Sequence, residues 1–369
     1  MHRYIGLMSG TSADAVDAIL VAIPSEAPLR VLAVHSHPLP RELRIAVEAL
    51  MRPADNELDR IGELDVAIGH LFADAAVALI AHAGLSARQI RAIGSHGQTV
   101  RHRPQAHHPF SLQIGNPALI AERTGITTVA HFRARDIAAG GQGAPLAPAF
   151  HAWAFRSPNR ARIIVNIGGI ANITVLPSDP SEAVTGFDTG PGNTLLDQWT
   201  QRHHGKPFDD SGAWAASGML REELLAALLA DPYFRQRPPK STGREYFNLD
   251  WLDRVTARFP QLSAVDVQAT MTHLTARSIA KAIDEYAPHA EEVFVCGGGS
   301  HNRFLMETLA ALLAGRRVDT TEAIGVSPDW VEASAFAWLA HQAMEGKPGN
   351  LPSVTGARRA AVLGGIYPA

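Results

Sequence analysis

Short apolar runs, each closed by glycine or a small polar residue, recur along the chain and predict strands. Residues 3–8 and 16–23 read as two strands of a hairpin around a turn-rich 9–14, and a third strand follows at 30–34. The period then lengthens to that of helices, one after Pro40 and a long one over 56–84. Strands at 93–95 and 110–114, a helix near 117–124 and the β-branched run 126–129 complete a first half. The second half repeats the order. Strands at 162–167, 171–175 and 184–187 precede helices near 193–203, 219–230 and 265–287. A strand at 292–296, a helix near 301–314, a short strand at 316–319 and a strong helix over 328–344 follow. Each half is thus three strands in a meander and then alternating helices and strands, which predicts a duplicated α/β architecture. The boundary is expected in the Gly/Pro-rich 138–148, giving lobes of 1–137 and 138–345, with 346–369 packing back on the first.

Length supports two domains, because 369 residues exceed what one core usually holds. With 46% hydrophobic and 19% charged residues, the composition is that of a globular enzyme. A formal net charge of -3 without a long basic run argues against nucleic acid as a partner. One cysteine excludes an internal disulfide and suits a reducing cytoplasm. No signal-peptide pattern opens the chain, and no apolar run is read as reaching the ~20 residues of a membrane span, so a cytoplasmic location is expected.

Four glycine-bearing turns carry candidate chemistry. Gly10-Thr11-Ser12-Ala13-Asp14-Ala15-Val16-Asp17 turns the first hairpin. Its small residues let backbone N–H groups approach a phosphate, Thr11 and Ser12 add hydroxyls, and a nearby acidic residue such as Asp14 could hold the nucleotide's magnesium through water. A plain polar turn explains it equally well. Asn166-Ile167-Gly168-Gly169-Ile170-Ala171-Asn172 occupies the matching hairpin of the second half, so two phosphate loops are plausible together where one would be weak. Phe187-Asp188-Thr189-Gly190-Pro191-Gly192-Asn193 leaves a strand and enters a helix, where α/β proteins bind ligands. Asp188 could be a general base; the plainer reading is a helix cap, which fits Asn193 better than Asp188. Cys296-Gly297-Gly298-Gly299-Ser300-His301-Asn302 could let an adenine or ribose lie against backbone. It matches neither the Walker sequence nor G-x-G-x-x-G.

His96-Gly97-Gln98-Thr99, Arg133 and Asp136 in 132–136, and Gln142 and Gly143 in Gly140-Gly141-Gln142-Gly143-Ala144-Pro145-Leu146 suit recognition of a hydroxylated ligand, though ordinary loops look the same. His102, His107 and His108 lack partners at metal-ligand spacing. Ser278 and Lys281 match S-x-x-K without its companion motifs. Glu332 opens the last strong helix, by default as a solvated residue.

Six motifs, at 10–14, 95–99, 140–146, 166–172, 187–193 and 296–302, stand in family order between residue 6 and about 356 and resemble the anhydro-N-acetylmuramic acid kinases of the acetate and sugar kinase, Hsp70 and actin superfamily. The resemblance implies two ribonuclease H-like (actin-like ATPase) lobes with a nucleotide and sugar cleft between them. It implies ATP and Mg2+ as cofactors, a sugar as substrate and a homodimer. Water would open the anhydro bridge of 1,6-anhydro-N-acetylmuramic acid and O6 would take the γ-phosphate. Asp188 matches the family's catalytic aspartate and Glu332 a glutamate near the sugar. Gly10, Thr11, Ser12, Asp14, Asp17, Asn166, Gly168, Gly169, Asn172, Gly297, Gly298, Gly299 and Asn302 fall to the nucleotide. His96, Gly97, Gln98, Thr99, Arg133, Gln142, Gly143, Asp188, Gly190 and Asn193 fall to the sugar. Ala13 and Ala15 depart from the family pattern. At Ala15 an alanine is strained if the backbone needs positive φ. Two other readings are a superfamily kinase with another sugar or carboxylic acid as acceptor, and an ATP-binding switch.

Overall fold

The computed structural model describes residues 2–10, 14–24, 29–51 and 54–369. The chain opens with β1 (His2–Met8), β2 (Ala15–Ile23) and β3 (Arg30–Pro38), then α1 (Arg41–Leu50) and α2 (Glu57–His82). β4 (Ala92–Ser95), β5 (Gln98–Arg103), β6 (Phe110–Ile114), α3 (Pro117–Thr124), β7 (Thr128–Ala130), α4 (Phe132–Ala138) and α5 (Ala147–Phe155) follow. A second series begins with β8 (Arg162–Ile167), β9 (Ile170–Leu176) and β10 (Thr185–Pro191). It continues through α6 (Asn193–His204), α7 (Ala213–Ala216), α8 (Glu222–Leu229), α9 (Leu249–Thr256) and α10 (Ala264–Tyr286) to β11 (Glu292–Cys296), α11 (Arg303–Leu312) and β12 (Arg317–Thr320). The chain ends with α12 (Val331–Met344), α13 (Pro352–Thr355) and β13 (Gly365–Tyr367).

Two compact units result, Met1–Ala154 with Trp330–Ala369, and Phe155–Asp329. The first unit's sheet runs β13-β7-β4-β1-β2-β3 and the second's β10-β9-β8-β11-β12. In both, the first three strands pair antiparallel and the next two parallel to the first. This twice-used order is the duplicated α/β architecture expected from the repeated meander, in the ribonuclease H-like topology that the family resemblance implies.

The division falls at Ala154/Phe155 and Asp329/Trp330 rather than after 137 and 345. The reason is α12. Its backbone lies directly on the first sheet, so that a Cβ on Gly6 would stand 1.9 Å from the Ala333 carbonyl oxygen, and one on Gly94 2.0 Å from that of Phe336. Trp338 on α12 then packs against Phe150 and Trp153 of α5, drawing 138–154 into the same unit. Asp136 is fully buried and ties the glycine-rich loop to the C-terminal segment, accepting from Gly143 N (2.8 Å), Thr355 Oγ1 (2.8 Å) and Asn350 Nδ2 (2.6 Å).

α2 corrects one sequence reading. Among the described residues it is long and apolar enough to cross a bilayer by length and composition. Its Ile68, Phe72, Ala75, Ala76 and Leu79 are instead completely buried against the first unit's sheet, as in a core helix. Ala15 begins β2 opposite Pro38 and is not among the residues with positive φ, so the alanine brings no backbone strain. Ala13 lies outside the described residues, as do Thr11 and Ser12.

Candidate active site

In the second unit, β-sheet register brings three predicted residues side by side. Asp188 on β10 is opposite Asn172 on β9, which is opposite Asn166 on β8. Residues 233–242 fix Asp188 from the other side. Its N–H donates to the Lys240 carbonyl (3.2 Å), its own carbonyl accepts from the Tyr233 hydroxyl (2.7 Å), and Oδ2 accepts from Thr242 N–H (3.0 Å). Burial pushes the Asp188 carboxyl up to about 6, and the Thr242 N–H and the Lys240 charge only partly oppose this. Lys240 and Thr242 were not singled out in the sequence, where they sit in an unpatterned Pro-containing stretch.

The glycines of the second unit divide by what a side chain would meet. Gly297 needs φ +79°, and a Cβ there would stand 2.4 Å from Asn166 Oδ1. At Gly299 it would stand 2.3 Å from Ile167 Cγ2, and at Gly169 2.5 Å from Thr194 Oγ1. Packing of the two glycine turns on one another accounts for Gly297 and Gly299, and the Thr194 and Arg244 side chains for Gly169. At Gly168 and Gly298 the nearest atoms are 3.7 and 3.6 Å away, ordinary contact distances. The fold therefore does not require glycine at those two, and the backbone there stays open to close approach. Gly190 follows a bulge at Asp188 with φ +151° and serves the backbone path.

Neither Asp188 nor Asn193 caps α6. The cap position is Gly192, and the first amides donate to the hairpin turn: Asn193 N to Gly168 O (2.8 Å) and Thr194 N to Gly169 O (3.2 Å). Asn193 instead gives its side-chain amide to Ile167 O (3.2 Å), because the turn's carbonyls already occupy the helix end. Asn302 does cap a helix, accepting from Leu305 N at 3.0 Å. Asn193, Gly298 and Asn302 nevertheless share a recess of about 340 Å³ with Phe208 and Ser211.

In the first unit, Arg133 on α4 joins three predicted motifs. Nη2 donates to His96 Nε2 (2.9 Å) and Nη1 to the Gly143 carbonyl (2.9 Å). Burial and the neighbouring guanidinium hold His96 down at about 3, so the ring is neutral and accepts through Nε2. Burial lowers Arg133 to about 10, with Glu332 and Asp136 opposing. Gln98 donates to the Gly10 carbonyl (3.1 Å) and Gln113 to Thr99 Oγ1 (3.1 Å). Gly97, at φ +70°, lies so close to β6 that a Cβ would stand 2.5 Å from Ile114 O. Gln142 is exposed and donates its N–H to Thr355 O (2.8 Å). Among the described residues, Ser9 Oγ, Ser95 Oγ, Gln98 Oε1 and Arg133 Nε are buried without a protein partner. Such a group of unsatisfied polar atoms is what a hydroxylated ligand or bound water completes. Ser9 and Ser95 flank motifs quoted above, and only burial of their hydroxyls distinguishes them.

Glu332 is solvent-accessible in the first turn of α12 yet closely surrounded by protein. That surrounding raises its carboxyl; Arg133 opposes the shift and Asp17 adds to it. Asp17 accepts from Ser36 Oγ (2.9 Å) across β2–β3. Asp14 is exposed and paired with Arg44 at 3.2 Å.

The two sheets of matching strand order define a duplicated α/β protein with a polar centre in each unit. The chain belongs to the anhydro-N-acetylmuramic acid kinase family, whose model matches residues 2–369. It is 54% identical over 366 residues to the anhydro-N-acetylmuramic acid kinase of Coxiella burnetii (strain Dugway 5J108-111), covering 99% of this chain and 97% of that one. Identity to the enzyme of the same name from Shewanella oneidensis is 52%, covering 99% and 98%. Among solved structures, it is similar to an activator of 2-hydroxyisocaproyl-CoA dehydratase from Clostridium difficile with bound ADPNP (TM-score 0.47, 11% identity, 93% and 96% covered). It is also similar to a ROK family glucokinase from Streptomyces griseus with glucose and AMPPNP (TM-score 0.42, 14% identity, 92% and 99% covered).

Proposed function

We propose that this chain hydrolytically opens 1,6-anhydro-N-acetylmuramic acid and phosphorylates O6 with ATP, giving N-acetylmuramic acid 6-phosphate and ADP in cell-wall recycling. The family match over residues 2–369 carries the choice of substrate. The Asp188 carboxyl, raised to about 6 and held through one oxygen by Thr242, supports the mechanism.

Asp188 acts as the base. Its Oδ2 takes the Thr242 N–H, which leaves Oδ1 to receive a proton from water. The water oxygen bonds to C1 as the C1–O6 bond breaks, as in an inverting glycosidase. O6 then attacks the γ-phosphorus and ADP leaves with the bridging oxygen's electron pair. A base ionising near 6 is deprotonated at neutral pH yet still basic enough to accept a proton. Glu332 and Arg133 orient the sugar from the first unit's polar centre, together with His96, Gln98 and Gly143.

Gly168 and Gly298 give the nucleotide room to approach backbone, and the recess beside Asn193 and Asn302 receives its base and ribose. Magnesium, when bound with ATP, neutralises phosphate charge. Asp14 suits it through water, since its partner Arg44 is an exposed cation that a hydrated metal can replace. The same reading extends to a homodimer and, with a single cysteine in the sequence, to a cytoplasmic location.

The test is mass spectrometry of the product formed from ATP, magnesium and the anhydro sugar in labelled water. One labelled oxygen at C1 and phosphate on O6 are expected. Phosphorylation without labelled oxygen would remove Asp188 from the role of base, and no sugar phosphate at all would end the proposal.

A further inference from the structure

A second recess in the Phe155–Asp329 unit has no part in the reaction described above. It encloses about 300 Å³ between β10, residues 234–240 and α10. Phe187 and Thr189 line it and Asp188 between them does not, because alternation along the strand turns the carboxyl to the opposite face. Four cations, Arg235, Arg237, Lys240 and Lys281, border this one recess against a single carboxylate, Glu285.

Nearby charges on α10 are treated differently. Arg277 pairs with Glu222 at 2.8 Å, and Asp284 with Arg316 at 2.6 Å. Among the described residues, none of the four cations around the recess forms an ion pair. Lys240 is half-buried, its ammonium 4.6 Å from the Tyr233 ring centroid; burial disfavours its charge, Glu285 and Asp188 partly offset this, and Lys281 repels it. Like charges gathered around a concave, partly desolvated volume attract a counter-ion of several charges more strongly than an open surface does.

We propose that this recess binds a small, multiply charged oxyanion, a phosphomonoester or a polycarboxylate. Lys240 belongs to both the recess wall and the segment that holds Asp188, so an occupant would sit one residue's thickness behind the base. The binding itself stands independently of the role given to Asp188.

Isothermal titration of the full chain with inorganic phosphate and with citrate, at constant ionic strength, tests this. Both titrations are repeated with a non-hydrolysable ATP analogue at saturation, which fills the nucleotide's own phosphate site. One equivalent of phosphate or citrate should still bind. Tighter phosphate points to a phosphomonoester and tighter citrate to a polycarboxylate. The double variant Arg237→Ala/Lys281→Ala should weaken binding about tenfold. Glu285→Gln should strengthen it about threefold, a change in the opposite direction that a misfolded protein would not give. Loss of binding when the analogue is present, no binding of either anion, or equal affinity in wild type and both variants would overturn the proposal.

Discussion

The Thr242 N–H donates to Oδ2 of Asp188 at 3.0 Å across a sequence separation of 54 residues. That one bond orients a carboxylate whose burial disfavours its charge, an effect that the Lys240 ammonium only partly offsets. Asp188→Asn keeps the size of the side chain and removes the base. Sugar-dependent ADP formation is expected to fall by about 10²–10⁴-fold while titration shows an unchanged affinity for a non-hydrolysable ATP analogue. Turnover within a few-fold of wild type would reassign the base.

The raised Asp188 carboxyl fixes the sign of the pH dependence. Below about 6 the group is protonated and cannot accept the water's proton, so kcat/KM should rise about tenfold per pH unit there and level off above. Stability should move the other way. The unfolded carboxyl ionises near ~4 and the folded one near 6, so between these values the unfolded chain binds fewer protons. Stability then declines as pH rises through this window and is flat beyond it. Urea unfolding at several pH values should show the decline in wild type and a smaller one in Asp188→Asn.

Arg133 bridges His96 and the Gly143 carbonyl with two separate nitrogens. Arg133→Lys offers one ammonium and cannot span both. Both Arg133→Ala and Arg133→Lys should raise KM for the sugar about tenfold or more with a smaller effect on the affinity for nucleotide. His96, held down at about 3, should show no titration of its ring resonances between pH 5 and 8. An ionisation of His96 inside that range would contradict the buried, accepting ring.

Glycines at different depths should respond oppositely to a methyl group. Gly6→Ala and Gly94→Ala drive a Cβ into the α12 backbone and should cost about 3 kcal/mol or more, read as a lowered denaturation midpoint. Gly168→Ala and Gly298→Ala meet only ordinary contacts. These two should melt within a few degrees of wild type and yet bind nucleotide more weakly. A thermal penalty at Gly168 as large as that at Gly6 would show packing, not a ligand, to be what keeps glycine there.

The repeated meander was legible because each strand is a compact apolar run ended by glycine, and the two sheets reproduce that order. The position of α12 was not. A helix after the second set of strands carries no mark of which sheet it covers. The signal lay far away, in the bare glycines of β1 and β4. The glycine turns were visible as turns, but sequence cannot tell Gly169 or Gly299, needed for packing, from Gly168 and Gly298, which are not. β5 is not legible in the sequence because its polar Gln98, Arg101, His102 and Arg103 break the strand alternation at a bulge, and only pairing with β6 makes them a strand. The hold of residues 233–242 on Asp188 uses backbone groups and a tyrosine hydroxyl, which leave no motif.

The seat of α12 on Gly6 and Gly94 also sets an order of events at the ribosome. Strands made within the first hundred residues must wait for a helix that begins at Val331, whereas Phe155–Asp329 is one unbroken stretch. The middle of the chain can close its core while the beginning still exposes one side of its sheet, so during synthesis the interior unit matures before the one that contains the N-terminus.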